Sequence, residues 1–160
     1  MGYMKIAIGS DWAGFYLKEE IKAYLLQNGH EVDDFGTDDP AKMAPYYEAA
    51  FAVAKKVQEG VYKKAVLCCG TGAGMCIAAN KFKGVYAVCC EGVYTANRAA
   101  VINDANVITF GGRVIGAGQA CEAVDTWLRL QYLEGFPAER HDLLRNAFKR
   151  LQGQESENFK

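Results

Sequence analysis

The residues with the clearest chemical potential are Cys69 and Thr71, set in the run Leu67-Cys68-Cys69-Gly70-Thr71-Gly72-Ala73-Gly74. Apolar Ala65-Val66-Leu67 leads into this run and reads as a buried strand, while Ile77-Ala78-Ala79-Asn80 follows it and reads as a short helix. A thiol at the C-terminal end of a strand, with a glycine-rich turn after it, suits a base or a nucleophile. Gly70, Gly72 and Gly74 let backbone N–H groups converge on one point, and the start of the following helix adds positive potential there. Such a setting holds an anion and favours a thiolate. Thr71 adds a hydroxyl that can donate or accept a proton. The plainer reading is a tight strand-to-helix turn. The run is not a dinucleotide fingerprint, whose third glycine would fall at Met75, and it lacks the Gly-Lys-Ser/Thr of a phosphate-binding loop.

Other polar residues are less telling taken singly. Asp11 alone reads as a cap for a helix from Ala13 onward, and Asn103-Asp104 alone as a turn. Arg140 and Arg145 alone read as solvated helix charges, Tyr46-Tyr47 as packing, and His141 as uninformative.

The elements that must position these residues alternate along the chain. Lys5 to Gly9, Glu31 to Phe35, Ala65 to Cys69, Val85 to Cys90 and Asn106 to Phe110 read as five strands. Helices are expected over Phe15 to Gln27, from Pro45 to near Gly60, briefly to Asn80, from Tyr94 to Val101, from Ala117 to Leu133 and from Glu139 to Leu151. In the first helix Leu17, Ile21 and Leu25 mark an apolar face, with Lys18, Glu19 and Lys22 mostly opposite. This alternation predicts an α/β fold: a three-layer, doubly wound, five-stranded parallel sheet, Rossmann-like, with a C-terminal helix. The site is expected at the carboxyl ends of the strands, formed by the turns Ser10-Asp11, Cys69 to Gly74 and Asn103-Asp104.

At 160 residues the chain reads as one domain over 1–151 with a frayed polar tail, 152–160. It is 51% hydrophobic and has a net charge of −1 with no dense Lys/Arg block, so nucleic acid is not indicated. No stretch has membrane-spanning length, the start has no signal-peptide layout, and Ile6 breaks a myristoylation match. Cys68-Cys69 and Cys89-Cys90 sit in strand-like runs, where neighbours point to opposite faces and cannot bridge. There is no Cys-x-x-Cys, and His30 and His141 are the only histidines, so a zinc site is not indicated. The cysteines other than Cys69 read as small buried hydrophobes, reduced in a cytoplasmic protein.

Several separated motifs, in order over residues 4–150, resemble the ribose-5-phosphate isomerase B and galactose-6-phosphate isomerase family. They are Lys5-Ile6-Ala7-Ile8-Gly9-Ser10-Asp11 with Ala13-Gly14-Phe15, Cys69 to Gly74 with Ile77 to Lys81, and Asn103 to Val107 with Gly111-x-Arg113-Val114-Ile115-Gly116. The resemblance implies interconversion of aldose and ketose phosphates through a cis-enediolate, with no metal or other cofactor. By position, Cys69 is then the base and Thr71 assists proton movement at the sugar oxygens. Backbone amides around Gly70, Gly72, Gly74 and Asn103 form the anion hole, and Asp11 binds a sugar hydroxyl. Arg113, Arg140 and Arg145 are phosphate contacts. The family further implies a homodimer, or a dimer of dimers, whose sites combine both subunits. The alternative reading is a non-catalytic sugar-phosphate-binding homologue or a partner subunit of a hetero-oligomeric isomerase, since the galactose-6-phosphate isomerases pair unlike subunits.

The sequence departs from the family pattern at four places. Trp12 stands where a histidine usually follows the first aspartate, and Ile102 where a ring-opening histidine usually precedes the Asn-Asp pair. Met43-Ala44-Pro45 replaces Asp-Tyr-Pro. Arg140 and Arg145 are five apart after Gly135-Phe136-Pro137, where the family has arginines four apart after Gly-Gly. Apolar side chains at 12 and 102 favour a substrate that is already open-chain, such as a tetrose 4-phosphate, over ribose 5-phosphate.

Overall fold

The computed structural model describes residues 2–159. Five strands form one sheet: β1 (Lys5–Ser10), β2 (Glu31–Asp34), β3 (Lys64–Cys69), β4 (Ala87–Cys89) and β5 (Val107–Gly111). Their order is β2-β1-β3-β5-β4 and every pairing is parallel. Helices α1 (Phe15–Gln27), α2 (Tyr46–Gln58), α3 (Ala73–Ala79), α4 (Val93–Val101) and α5 (Ala117–Arg129) make the crossovers and follow β5, and α6 (Ala138–Asn158) ends the chain.

The alternation of side chains along each strand divides the core in two. Ile6, Ile8, Val66, Cys68, Ile108 and Phe110 pack under α1, α4 and α5. Ala7, Ala65, Leu67, Cys69 and Val107 pack under α2 and α3. Cys68 and Cys69 therefore face opposite layers, as the strand pattern predicts. The connections leave β1 and β3 toward opposite edges, so the switch in strand order lies between the ends of these two neighbours. Among the described residues no helix is long and apolar enough to cross a membrane.

Three local expectations change. Lys18 is not on a solvated face: it is 1% exposed, and its ammonium meets Asp34 and Glu19, each at 2.7 Å, and the Thr37 carbonyl at 3.0 Å. Those carboxylates meet the desolvated charge, which helical periodicity alone does not foresee. Helix α5 stops at Arg129, because Leu130 is extended and Leu133 and Gly135 take positive φ. The tail does not fray after Leu151: α6 runs to Asn158, and Glu155 accepts from the Gly84 N–H at 2.7 Å and the Tyr86 hydroxyl at 3.0 Å. Lys160 lies outside the described residues. All six cysteines are free; Cys68, Cys69 and Cys90 are buried, whereas Cys76, Cys89 and Cys121 are only half-buried.

Candidate active site

β3 delivers Cys69 to the C-terminal end of the sheet beside β1 and β5. The thiol is 5% exposed, and its Sγ accepts the Gly72 N–H at 3.1 Å. Gly72 has φ 83°, the left-handed region that glycine enters without a Cβ penalty. That turn is pinned from behind: the Gly72 carbonyl accepts the Thr109 hydroxyl at 2.8 Å and the Cys76 N–H at 3.1 Å, which starts α3. A Cβ on Gly111 would lie 2.6 Å from the Thr71 carbonyl carbon, so only glycine lets β5 pass this close.

Burial raises the Cys68 thiol well above its usual pKa, so Cys68 stays protonated. Cys90 is pushed up to about 12, also by burial. Neither is a base near neutral pH.

Asp11 follows β1, its N–H donating to the Cys68 carbonyl at 3.3 Å. One carboxylate oxygen accepts the Gly14 N–H at 2.9 Å, which ties the loop ahead of α1; the helix itself starts at Phe15 after Gly14 with no side-chain cap, so Asp11 is not its cap. Arg113 donates its N–H to the Gly70 carbonyl at 3.1 Å, and its guanidinium sits 5.4 Å from the Trp12 ring centroid. Thr71 is exposed beside the thiol. The structure thus gathers Asp11, Trp12, Cys69, Gly70, Thr71, Gly72, Gly74 and Arg113 at one end. It adds Tyr46, whose ring lies against Gly74, about 3 Å from where a Cβ would stand. Tyr46 follows Pro45 at the start of α2, and only the fold brings that loop over the turn.

Asn103 is a correction. It does not lie at the carboxyl ends but in the turn between α4 and β5, at the opposite end of the sheet. A parallel crossover must return the chain to the start of the next strand, so a turn that follows a helix cannot sit beside Cys69. Cys69 pairs with Gly111, four residues along β5 from Val107, or about 13 Å at ordinary strand rise, and Asn103 is beyond that. Ile102 shares this turn and packs on the core rather than beside Cys69.

Arg140 and Arg145 lie at this opposite end as well. A spacing of five turns them about 140° apart on α6, so they do not share a face. Arg140 stacks on Phe136 at 4.7 Å. Arg145 instead shares its face with His141, and both line a cavity of about 510 Å³ with Tyr132 and Phe136. The Tyr132 hydroxyl and His141 Nε2 are buried without a hydrogen-bond partner among the described residues. The four-residue spacing of His141 and Arg145 was the signal available for His141 in the sequence. One copy of the chain therefore carries two sets of candidate residues, separated by the sheet.

The model of the ribose/galactose isomerase family matches residues 6–144. The chain is 47% identical to the 4-deoxy-4-sulfo-D-erythrose isomerase of Clostridium sp. (strain MSTE9), over 92% of this chain and 93% of that protein. It is 39% identical to the D-erythrulose-4-phosphate isomerase of Pectobacterium atrosepticum, over 86% and 90%. The solved structure of Clostridium thermocellum ribose-5-phosphate isomerase B superposes with a TM-score of 0.88 at 37% identity, covering 97% of this chain and 99% of that one. The fold and the sequence over most of its length are thus those of known sugar isomerases, and the chain belongs to the ribose/galactose isomerase family.

Proposed function

We propose that this protein interconverts the aldose and ketose forms of a four-carbon sugar bearing a terminal anion, a phosphate or a sulfonate. The observation that carries the chemistry is Cys69, at the end of β3, with the Gly72 N–H 3.1 Å from its sulfur. That contact fixes where the sulfur points. The thiolate takes the proton from C2 of the aldose, and the electron pair moves through C1 onto O1, giving a cis-enediolate. The Thr71 hydroxyl moves a proton between O1 and O2. Cys69 then returns its proton to C1, leaving the ketose. Amides of the glycine turn stabilise the developing charge, and Asp11 holds a sugar hydroxyl.

The four-carbon reading rests on Trp12, which lies beside the thiol's turn and cannot shuttle a proton to a ring oxygen. A tetrose whose C4 carries phosphate or sulfonate has no hydroxyl there to close a furanose ring. The two relatives that act on four-carbon sugars support the same choice.

The separation of Cys69 from Asn103, His141 and Arg145 supports a homodimer, or a dimer of dimers, in which each site takes the second set from the other copy. The cationic face of α6 then meets the substrate's anion. Six free thiols suit the cytoplasm.

The test is proton exchange in heavy water, followed by NMR, on the purified protein alone. The panel is 4-deoxy-4-sulfoerythrose, erythrose 4-phosphate and ribose 5-phosphate. Exchange on a four-carbon substrate is expected, lost in Cys69→Ala and largely kept in Cys68→Ala. Binding without exchange would make the chain a non-catalytic partner subunit. A clear preference for ribose 5-phosphate would sink the four-carbon reading alone.

A further inference from the structure

Lys64 begins β3, at the far end of the strand from Cys69. Its Nζ donates to the Ala105 carbonyl at 2.8 Å and lies 4.3 Å from the Trp127 ring centroid. The indole N–H of Trp127, a fully buried residue on α5, donates to the same carbonyl at 3.1 Å. Two donors from different elements therefore converge on one acceptor. That acceptor closes the turn 102–105, in which Asp104 takes φ 48°, the left-handed region for a residue with a Cβ. Such a conformation persists only where its surroundings over-determine it.

The ties around the turn are all directed at its ends. The Ala105 N–H donates to the Ala99 carbonyl at 3.0 Å. The Asn106 side chain accepts the Tyr86 N–H and donates to the Gly84 carbonyl, each at 2.8 Å. Asn103 itself is exposed at the tip, so its place depends on how firmly Ala105 is held.

A lysine is a costly residue for this position. Burial lowers its pKa to about 8, opposed by the Asp104 carboxylate, the charged group that faces it. A methionine would fill much the same volume with no charge to desolvate. Packing therefore does not account for the ammonium, whereas the bond to the Ala105 carbonyl does.

We propose that Lys64 is a positioning residue for the isomerase reaction: with Trp127 it clamps the Ala105 carbonyl and so sets where Asn103 is presented to the partner copy's Cys69. The proposal rests on the shared-site reading above. Lys64 touches no substrate; it acts through the backbone of residues 102–105.

The experiment is a double-mutant cycle on the dimer. Lys64→Met, Asn103→Ala and the double variant are assayed for proton exchange and for urea unfolding. Lys64→Met is expected to lose roughly tenfold in kcat, with KM little changed, because the proposal has the Asn103 side-chain amide, presented by this turn, act on charge that develops in the transition state. The double variant should be no slower than Asn103→Ala, since both changes act through one group. Losses that multiply would overturn the proposal, as would a fully active Lys64→Met enzyme. Should Lys64→Met fail to fold, Trp127→Phe keeps a ring and deletes the N–H donor, and it must show the same non-additivity with Asn103→Ala. A fully active Asn103→Ala enzyme would overturn the clamp, while the shared site is tested separately by mixed dimers of Arg145→Ala with Cys69→Ala.

Discussion

At the C-terminal end of the sheet Cys69 is held by backbone. Gly72 supplies the donor to its sulfur, Gly14 presses on the Cys68 carbonyl, and Gly111 passes under Thr71 with no room for a Cβ. At the N-terminal end the polar groups sit on an exposed turn and on α6, a helix of 21 residues in which only Leu144 is buried. The difference follows from what each end would do. A base must stand within hydrogen-bond reach of one carbon-bound proton, so its place is set by contacts that cannot yield. Charge that holds an anion acts over a longer range, and side chains on a lightly packed helix suffice.

The sharpest way to break this contrast is to delete the base. Cys69→Ala should lower proton exchange by about 10³-fold or more with little change in unfolding midpoint, whereas Cys68→Ala, on the other face, should keep most activity. Equal losses in both would show that the turn, and not the thiol, matters.

Next in size is a pair of glycines, one from each end. A Cβ on Gly14 would stand 2.3 Å from the Cys68 carbonyl, so Gly14→Ala should cost more than about 3 kcal/mol or prevent folding. Gly135 has φ 79° but open space around it, so Gly135→Ala should cost only about 1 kcal/mol of backbone strain. Urea denaturation of the two variants measures the gap, and comparable losses would contradict the two styles of construction.

Charge at the second end should matter for binding more than for stability. Arg145 has its nearest carboxylate, Asp142, at 3.8 Å, so little stability rides on it. Arg145→Ala should raise KM roughly tenfold or more for an anionic substrate. Mixed dimers of Arg145→Ala with Cys69→Ala should regain activity, because one of their sites is intact. Mixed dimers that form and stay inactive would overturn the sharing of sites between copies.

The last comparison is a pH dependence at Lys64. Its pKa is about 8 in the folded protein and near 10.5 when the chain is unfolded. Between these values the unfolded state holds more protons, so stability rises with pH. Below pH 8 the cost of the buried ammonium is fully present, and above 10.5 it is gone. Relative to Lys64→Met, the parent protein should therefore gain stability from pH 8 to 10.5 in denaturant titrations.

Much of the first end was legible along the chain. The opposed faces of Cys68 and Cys69 follow from strand alternation, and the glycine spacing marks the turn. Asp11 and Arg113 follow from the motifs around them. Lys18 was not legible, because its partners, Asp34 and the Thr37 carbonyl, come from another strand and the loop after it. Nor was Tyr46, which reaches Gly74 only because α2 and α3 pack together. The length of α6 was hidden for a similar reason: its polar last turns read as solvent-exposed tail until Glu155 finds an amide on the β3–β4 side of the molecule.

The sequence by itself determined what local physics can determine. Apolar runs of strand length, helical periodicity and glycine turns are written in neighbouring residues, and so are the parallel sheet and the thiol at the end of β3. Only the tertiary structure decided which motifs meet. Asn103 and Cys69 read as one site along the chain, yet a parallel crossover places them at opposite ends of the sheet. Arg140 and Arg145 read as a pair, yet five residues of helix turn them apart and put His141 beside Arg145 instead. Contacts between distant segments depend on strand order and helix phase together, and no window of sequence holds both.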